Sequence, residues 1–118
     1  MKNNHQDRAF LTGAIAGLCR DVMDRYNPAG KDAYDPLSCL YQELSLHRLV
    51  IDTISVLDSI SATDKNAYVF YRDNLAALCN DLLVASVDEV NDQTDSFWSG
   101  YHAATVDVCL ALDFDDLA

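Results

Sequence analysis

Apolar residues recur at the spacing of an α-helix along most of the chain, and this periodicity limits the possible folds more than any other feature. In the first segment, Leu11 and Ile15 lie one turn apart and begin a stripe on one side of a helix. The second segment repeats the pattern, and its Leu44, Ile51 and Ile54 are expected to face the core. Together the stripes predict four helices, at residues 7–26, 36–61, 64–88 and 95–112.

Stop and start signals separate the predicted helices. Residues 27–30 read Asn-Pro-Ala-Gly and end the first helix, because Pro and Gly both disfavour its continuation. Asp35 followed by Pro36 has the pattern of an N-cap and a first helical residue. Asp64 lies at the start of the third helix, where a carboxylate interacts favourably with the helix dipole. These signals indicate separate helices joined by short connections.

The four helices are expected to pack as one all-α domain over residues 1–118, an antiparallel four-helix bundle with an acidic C-terminal tail at 113–118. The end of the fourth segment leaves an alternative open. Residues 105–114 alternate between apolar and other side chains, which is the period of a strand. A helix is favoured, because a lone strand would leave its backbone polar groups without partners.

The first helix carries a row of small residues opposite its apolar stripe. Each glycine inside a helix costs about 1 kcal/mol relative to alanine, so two of them on one side indicate a close contact. We expect a neighbouring helix of the same chain at this surface, and a homodimer contact is the alternative. The row consists of Ala9, Gly13, Ala16 and Gly17.

Charge is distributed unevenly. The chain has a formal net charge of -11, yet residues 1–72 hold nine acidic and all eight basic residues. The remainder holds ten acidic residues and no Lys or Arg, which predicts an acidic surface that binds a basic protein. Direct binding of nucleic acid or of an anionic membrane is not expected, since both need a surplus of basic side chains. The predicted acidic surface consists of Asp73, Asp81, Asp88, Glu89, Asp92, Asp95, Asp107, Asp113, Asp115 and Asp116.

Motifs for catalysis or metal binding are not found. The four cysteines form no Cys-x-x-Cys pair and are expected to be buried thiols of a cytoplasmic protein without a signal peptide. Glu43 and His47 lie one turn apart, but a di-iron bundle needs more glutamates than the chain has. The acidic residues 88–95 lack the ligand spacing of a calcium-binding loop. The sequence therefore predicts a non-enzymatic protein with no cofactor and no metal.

These features favour an inhibitor that covers the basic, nucleic-acid-engaging surface of another protein, such as a nuclease. In size, acidity and helical character the chain resembles phage-encoded nucleic-acid mimics that block restriction or CRISPR effectors. It equally resembles bacterial immunity proteins that neutralise nuclease toxins. The alternative is a homo-oligomeric structural or adaptor bundle, or a small chaperone, because residues 103–112 are nearly all apolar and would need covering by another chain.

Overall fold

The computed structural model describes residues 8–27, 35–85 and 93–112, with the side chains of Glu43, Gln93 and residues 106–112 left out. The described residues form helices and no strand, so the prediction of an all-α, bundle-like domain is confirmed. The helices are α1 (Arg8–Tyr26), α2 (Ser38–Tyr41), α3 (Glu43–Ile60), α4 (Lys65–Val84) and α5 (Gln93–Leu112).

The predicted second helix, 36–61, is divided in two, which corrects the sequence prediction. Gln42 has extended backbone angles (φ -132°, ψ 107°) and separates α2 from α3. Its backbone N–H donates to the carbonyl oxygen of Ser38, which ends α2 after a single turn. The prediction that Asp35 is an N-cap and Pro36 the first helical residue is wrong, since α2 begins at Ser38 with Leu37 as its N-cap. Asp35 opens a turn before the helix instead, and its carboxylate accepts from the backbone N–H of Leu37. Because of the break at Gln42, α3 follows its own apolar stripe.

Helix α4 begins as the sequence predicts. Asp64 is its N-cap, and its carboxylate accepts a hydrogen bond of 3.3 Å from the backbone N–H of Ala67. The helix ends at Val84, because Ala85 is extended (φ -72°, ψ 139°), whereas the sequence predicted helix to residue 88. Residues 86–92 lie outside the described part of the chain.

Helix α5 runs unbroken through Leu112, so the alternative of a strand is wrong for residues 105–112. Residues 113 and 114, the other end of that proposed strand, lie outside the described part. The buried side of α5 carries Phe97, Gly100 and Ala104, which recur at helical spacing. Helical periodicity alone also allows Trp98 and Tyr101 to face the core, but both are only half-buried.

Helix α1 lies at the centre of the domain, with α5 on one side and α3 and α4 also packed against it. All residues from Leu11 to Cys19 are buried. Arg8 bonds to Leu82 near the end of α4, and Tyr26 bonds to Asp64 at its start, so α1 and α4 are antiparallel.

Helix α5 runs parallel to α1, because Gly13 lies against Phe97 and Gly17, one turn later, lies against Tyr101. The bundle therefore combines antiparallel and parallel neighbours around one central helix. A helix that is buried on every side needs apolar or small residues all round, and α1 has no charged residue between Arg8 and Arg20.

A polar network joins the end of α1 to the start of α4. The Tyr71 hydroxyl donates a 2.6 Å hydrogen bond to the Asp21 carboxylate, which also accepts from the Arg25 guanidinium at 3.0 Å. The Tyr26 hydroxyl donates to Asp64, and the rings of Tyr26 and Tyr71 meet edge to face at 6.3 Å. Burial, followed by the contact with Asp21, raises the pKa of Tyr71. Tyr71 is fully buried, so the network satisfies its hydroxyl within the core.

Candidate binding surface

Helix α3 has two apolar faces, and only one of them is buried. Leu46, Leu49 and Leu57 face the core. On the other face, Leu44 is 75% exposed and Ile51 is 62% exposed. A surface helix normally turns a single apolar stripe toward the core and a polar face toward solvent. The second apolar face of α3 is therefore a candidate interaction surface.

The sequence prediction that Leu44, Ile51 and Ile54 face the core is wrong, since all three are exposed. At about 100° per residue, the apolar residues of this segment cover more than half of the helix circumference, so two different stripes fit the periodicity. The predicted stripe began at Leu37, and the break at Gln42 separates that residue from α3.

A cleft between α3 and α4 lies beside this exposed face, and we call it the α3–α4 cleft. It consists of two adjoining cavities of about 330 Å³ and about 500 Å³ that share Val50 and Cys79 as lining residues. The smaller cavity lies toward Tyr68, and the larger one lies toward Leu83, which is 81% exposed. The apolar lining residues are Ile15, Leu46, Val50, Ile51, Ile54, Leu57, Leu75, Ala76, Leu82 and Leu83.

The ionised side chains that line the α3–α4 cleft are less acidic than the chain as a whole. They are Arg8, Arg72 and Asp58 among the described residues, in a protein of net charge -11. The Arg8 guanidinium donates to the carbonyl oxygen of Leu82 at 3.1 Å. The Arg72 guanidinium donates to the Asp73 carboxylate at 3.1 Å, which balances its charge, and lies over the ring of Tyr68. The cleft is thus an apolar channel with a nearly neutral edge.

Two of the predicted acidic residues lie on the outer side of α4. Asp73 and Asp81 are both exposed and lie eight residues apart, about 12 Å along the helix axis. Asp81 is two residues from Cys79, which places it about 200° round the helix from that lining residue of the cleft. Asp73 follows the lining residue Arg72 and pairs with its guanidinium, so it lies at the border of the cleft. We call Asp73 and Asp81 the α4 acidic face.

The other predicted acidic residues do not join the α4 acidic face within the described structure. Asp95 is exposed on the first turn of α5. Asp107 is a backbone position of α5 whose side chain is not described. The remaining predicted residues lie outside the described part of the chain: Asp88, Glu89, Asp92, Asp113, Asp115 and Asp116.

The small residues of α1 lie inside the protein. Ala9, Gly13, Ala16 and Gly17 are all buried. A Cβ atom on Gly13 would overlap the backbone of Phe97, and one on Gly17 would lie 2.6 Å from the carbonyl oxygen of Tyr101. The two glycines therefore allow the backbones of α1 and α5 to come into contact. This surface is occupied by α5 of the same chain, so a dimer would have to form elsewhere.

The described cysteines are protonated thiols at neutral pH. Burial raises the pKa of Cys19 to about 12 and that of Cys39 to about 11, and it also raises the pKa of Cys79. A thiol with a raised pKa is a poor nucleophile and a poor metal ligand. Among the described residues, no group of three His, Cys, Asp or Glu side chains is placed to hold a metal ion.

Sequence reasoning missed the α3–α4 cleft, although one signal for it was present. Segment 43–60 has too many apolar residues for a helix with a single buried side. Leu83 at the end of α4 extends the same exposed surface, being 81% exposed, whereas Val84 lies one turn from Asp81 on the other side of that helix. The sequence does not show which of the two apolar faces is left uncovered, because that depends on how α1 fills the core.

Comparisons of the chain with protein-family models, with curated proteins and with solved structures gave no match. In the described part of the chain, no helix combines the length and the apolar character needed to cross a lipid bilayer. A functional assignment therefore rests on the surfaces of the chain itself.

Proposed function

We propose that this protein is a non-enzymatic acidic inhibitor that covers the basic, nucleic-acid-engaging surface of another protein. The observation that carries the proposal is the α4 acidic face, where Asp73 and Asp81 stand exposed beyond the last basic residue of the chain, Arg72. A basic partner would approach rapidly, because the net charge of -11 attracts cationic surfaces over long distances.

Carboxylates on a helix can take the place of nucleic-acid phosphates. Both are anionic oxygen acceptors that Arg and Lys side chains recognise. The separation of Asp73 and Asp81, about 12 Å along the axis, lets each carboxylate meet a different basic side chain. Aspartate also has a short side chain, so fixing it in an interface costs less conformational entropy than fixing a longer one.

The finer proposal is that the partner is a nuclease or another effector that binds nucleic acid. Its support is the resemblance in size, acidity and helical character to anti-restriction, anti-CRISPR and nuclease-immunity proteins. Such an inhibitor acts by occupancy and needs no catalytic group. Binding of the inhibitor and binding of nucleic acid by the partner are then mutually exclusive.

The test is a capture experiment with competition. The protein is immobilised on a resin and incubated with host lysate at about 50 mM and about 500 mM salt. The proteins bound at each salt concentration are identified by mass spectrometry. We expect a basic protein that is released at the higher salt concentration and is displaced by added duplex DNA or RNA. A captured protein that nucleic acid does not displace would contradict inhibition by occupancy.

A matched pair of variants tests the α4 acidic face itself. Asp81→Lys and Asp24→Lys change the net charge equally, but Asp24 lies in the groove between α1 and α5. We expect Asp81→Lys to weaken partner binding about tenfold more than Asp24→Lys does, because contact charges act more strongly than distant ones. Equal effects of the two variants would remove the α4 acidic face from the interface.

A second candidate function, a homo-oligomeric adaptor or chaperone-like bundle, is favoured by the exposed apolar residues of α3 and α4. Such a protein would hold its clients through apolar contacts, so raising the salt concentration would not release them. The same capture experiment separates the two functions by the salt response of the bound protein.

A further inference from the structure

The exposed aliphatic side chains of the described residues are concentrated on one pair of helices. All of the large ones lie on α3 or α4: Leu44, Ile51, Ile54, Leu83 and Val84. Val84 lies one turn from Asp81 on the other side of α4, and the remaining four expose roughly 500 Å² per chain, within the range of the largest apolar patch on a typical monomer. A standard interface buries about 800 Å² on each partner, so this surface supplies more than half of one interface.

The arrangement of these side chains suits a surface that binds to itself. The larger cavity of the cleft is a depression bordered by Ile51 and Leu83. The exposed side chains of Leu44 and Leu83 project into solvent beside this depression. A surface that has both a hollow and projecting side chains can fill its own hollow when two copies meet across a two-fold axis. In that arrangement, the projecting side chains of each copy enter the cleft of the other.

Charge does not oppose self-association at this surface as it does elsewhere. Two copies with a net charge of -11 each repel one another at most orientations. At the α3–α4 cleft the positive charges of Arg8 and Arg72 are balanced by Asp58, which lines it, and by Asp73, which pairs with Arg72. The surface that a second copy would meet there is therefore close to neutral.

We propose that a second copy of this chain covers the α3–α4 cleft, giving a two-fold homodimer held by the exposed apolar residues of α3 and α4. The dimer leaves Asp73 and Asp81 of each copy facing outward. It is therefore compatible with the proposed inhibitor and would present two acidic faces to partners. Self-association and partner binding use different residues. An experiment can therefore contradict the dimer without contradicting the proposed inhibitor, or the reverse.

The test is a measurement of the oligomeric state by sedimentation equilibrium at about 50 mM and about 500 mM salt. We expect a dimer with twice the 13.1 kDa chain mass, bound at least about fivefold more tightly at the higher salt concentration, where repulsion between the copies is screened. A basic partner responds in the opposite direction, because its attraction to the acidic face weakens with salt. The sign of the salt effect thus separates dimerisation from the proposed function.

A variant pair locates the interface. Ile51→Ser removes an exposed side chain of the cleft, and Tyr41→Ser removes a similarly exposed side chain of α2 that does not line the cleft. We expect Ile51→Ser to weaken the dimer at least about tenfold and Tyr41→Ser to leave it within about twofold. The circular dichroism of both variants should match the parent protein, since neither side chain is buried.

Three results would overturn the proposal. The first is a monomer at both salt concentrations, and the second is a dimer that Ile51→Ser does not weaken. The third is a dimer that dissociates as salt is raised, because that response requires an interface held by opposite charges and not by the apolar cleft.

Discussion

Helices α1 and α3 are both apolar on more than one side, but only α1 is covered on all sides. Helix α1 has α5 against its glycines and also packs against α3 and α4. Helix α3 packs against the core through Leu49 and Leu57 and leaves Ile51 and Ile54 exposed. The comparison shows that an apolar face marks where a contact forms, whereas the rest of the chain determines whether that contact lies within one molecule.

The largest difference between the two helices should appear in a pair of identical substitutions. Ile15 of α1 is fully buried and Ile51 of α3 is 62% exposed. We expect Ile15→Ala to lower the free energy of unfolding by about 4 kcal/mol through the cavity it leaves. Ile51→Ala should lower it by about 0.5 kcal/mol or less, as surface substitutions usually do. Urea denaturation of dilute protein measures both, and similar losses would show that the two faces are equally covered.

Substitutions at the contact between α1 and α5 should give the next largest loss in the free energy of unfolding. Gly→Ala inside an exposed helix stabilises it by about 1 kcal/mol. At Gly13 the new methyl group meets the backbone of Phe97, so we expect a loss of about 3 kcal/mol, as for an overpacked core. Gly17→Ala should cost less, since its Cβ would lie 2.6 Å from the nearest atom.

Ser99→Ala, at an exposed position of α5, is the control for these glycine variants and should change stability little. Urea denaturation again provides the measurement. A Gly13→Ala protein as stable as the parent would mean that α1 and α5 do not meet at this distance.

Removing the hydroxyl of Tyr71 should have a moderate effect. Tyr71→Phe deletes the 2.6 Å bond to the Asp21 carboxylate in the buried contact between α1 and α4. A hydrogen bond to a charged group stabilises a protein by about 2 kcal/mol, which is the loss we expect in thermal or urea unfolding. Tyr41→Phe, whose hydroxyl contacts Thr94 at an exposed position, is the matched control and should have a much smaller effect. Equal effects of the two variants would contradict the burial of the Tyr71 network.

Alkaline pH should lower the free energy of unfolding by a smaller amount, through the buried thiol of Cys19 on α1. Burial raises the pKa of Cys19 from 9.0 to about 12, and the nearby side chain of Thr53 of α3 offsets only part of that rise. Because the folded pKa is the higher one, this contribution is fully present below about pH 9 and is lost as the pH rises toward 12. We expect Cys19 to account for a loss of about 1 kcal/mol between about pH 8 and about pH 10. Cys39, whose pKa is raised to about 11, adds a smaller loss because it is less deeply buried. Tyr26, whose pKa is raised to about 12, adds to the loss at higher pH.

Cys19→Ala should make stability less dependent on pH over that range, while Cys79→Ala should leave most of the dependence in place, because Cys79 is only half-buried. Urea midpoints collected across the range provide the measurement. Stability that does not change between about pH 8 and about pH 10 in the parent protein would contradict the burial of Cys19.

Much of the fold could be predicted from local signals. The stripe from Leu11 to Val22 is buried as its periodicity predicts, and Asp64 caps α4. These predictions succeeded because the signals act within a few residues. The close contact indicated by Gly13 and Gly17 could also be read from the cost of glycine in a helix, and the structure places α5 there.

The remaining features depend on tertiary packing. The break at Gln42 changes which apolar residues of α3 face the core, and α5 turns Phe97, not Trp98, toward the core. Hydrophobic periodicity alone does not distinguish helix faces that differ by one or two residues. The α3–α4 cleft was missed for the same reason, since α3 offers two stripes and the core covers one. The exposed position of Asp73 and Asp81 could be predicted, because they lie opposite the stripe that includes Tyr71 and Leu75.

The isoleucine methyl groups test the difference between α1 and α3 most directly. The chain has four isoleucines, and Ile15 and Ile60 are buried whereas Ile51 and Ile54 border the exposed face. With isoleucine-labelled protein and a neutral paramagnetic cosolute, we expect the methyl signals of Ile51 and Ile54 to broaden in dilute protein and to be protected as the concentration rises. The signals of Ile15 and Ile60 should stay sharp throughout. Broadening of Ile51 and Ile54 that persists at every protein concentration would contradict coverage of this face by a second copy.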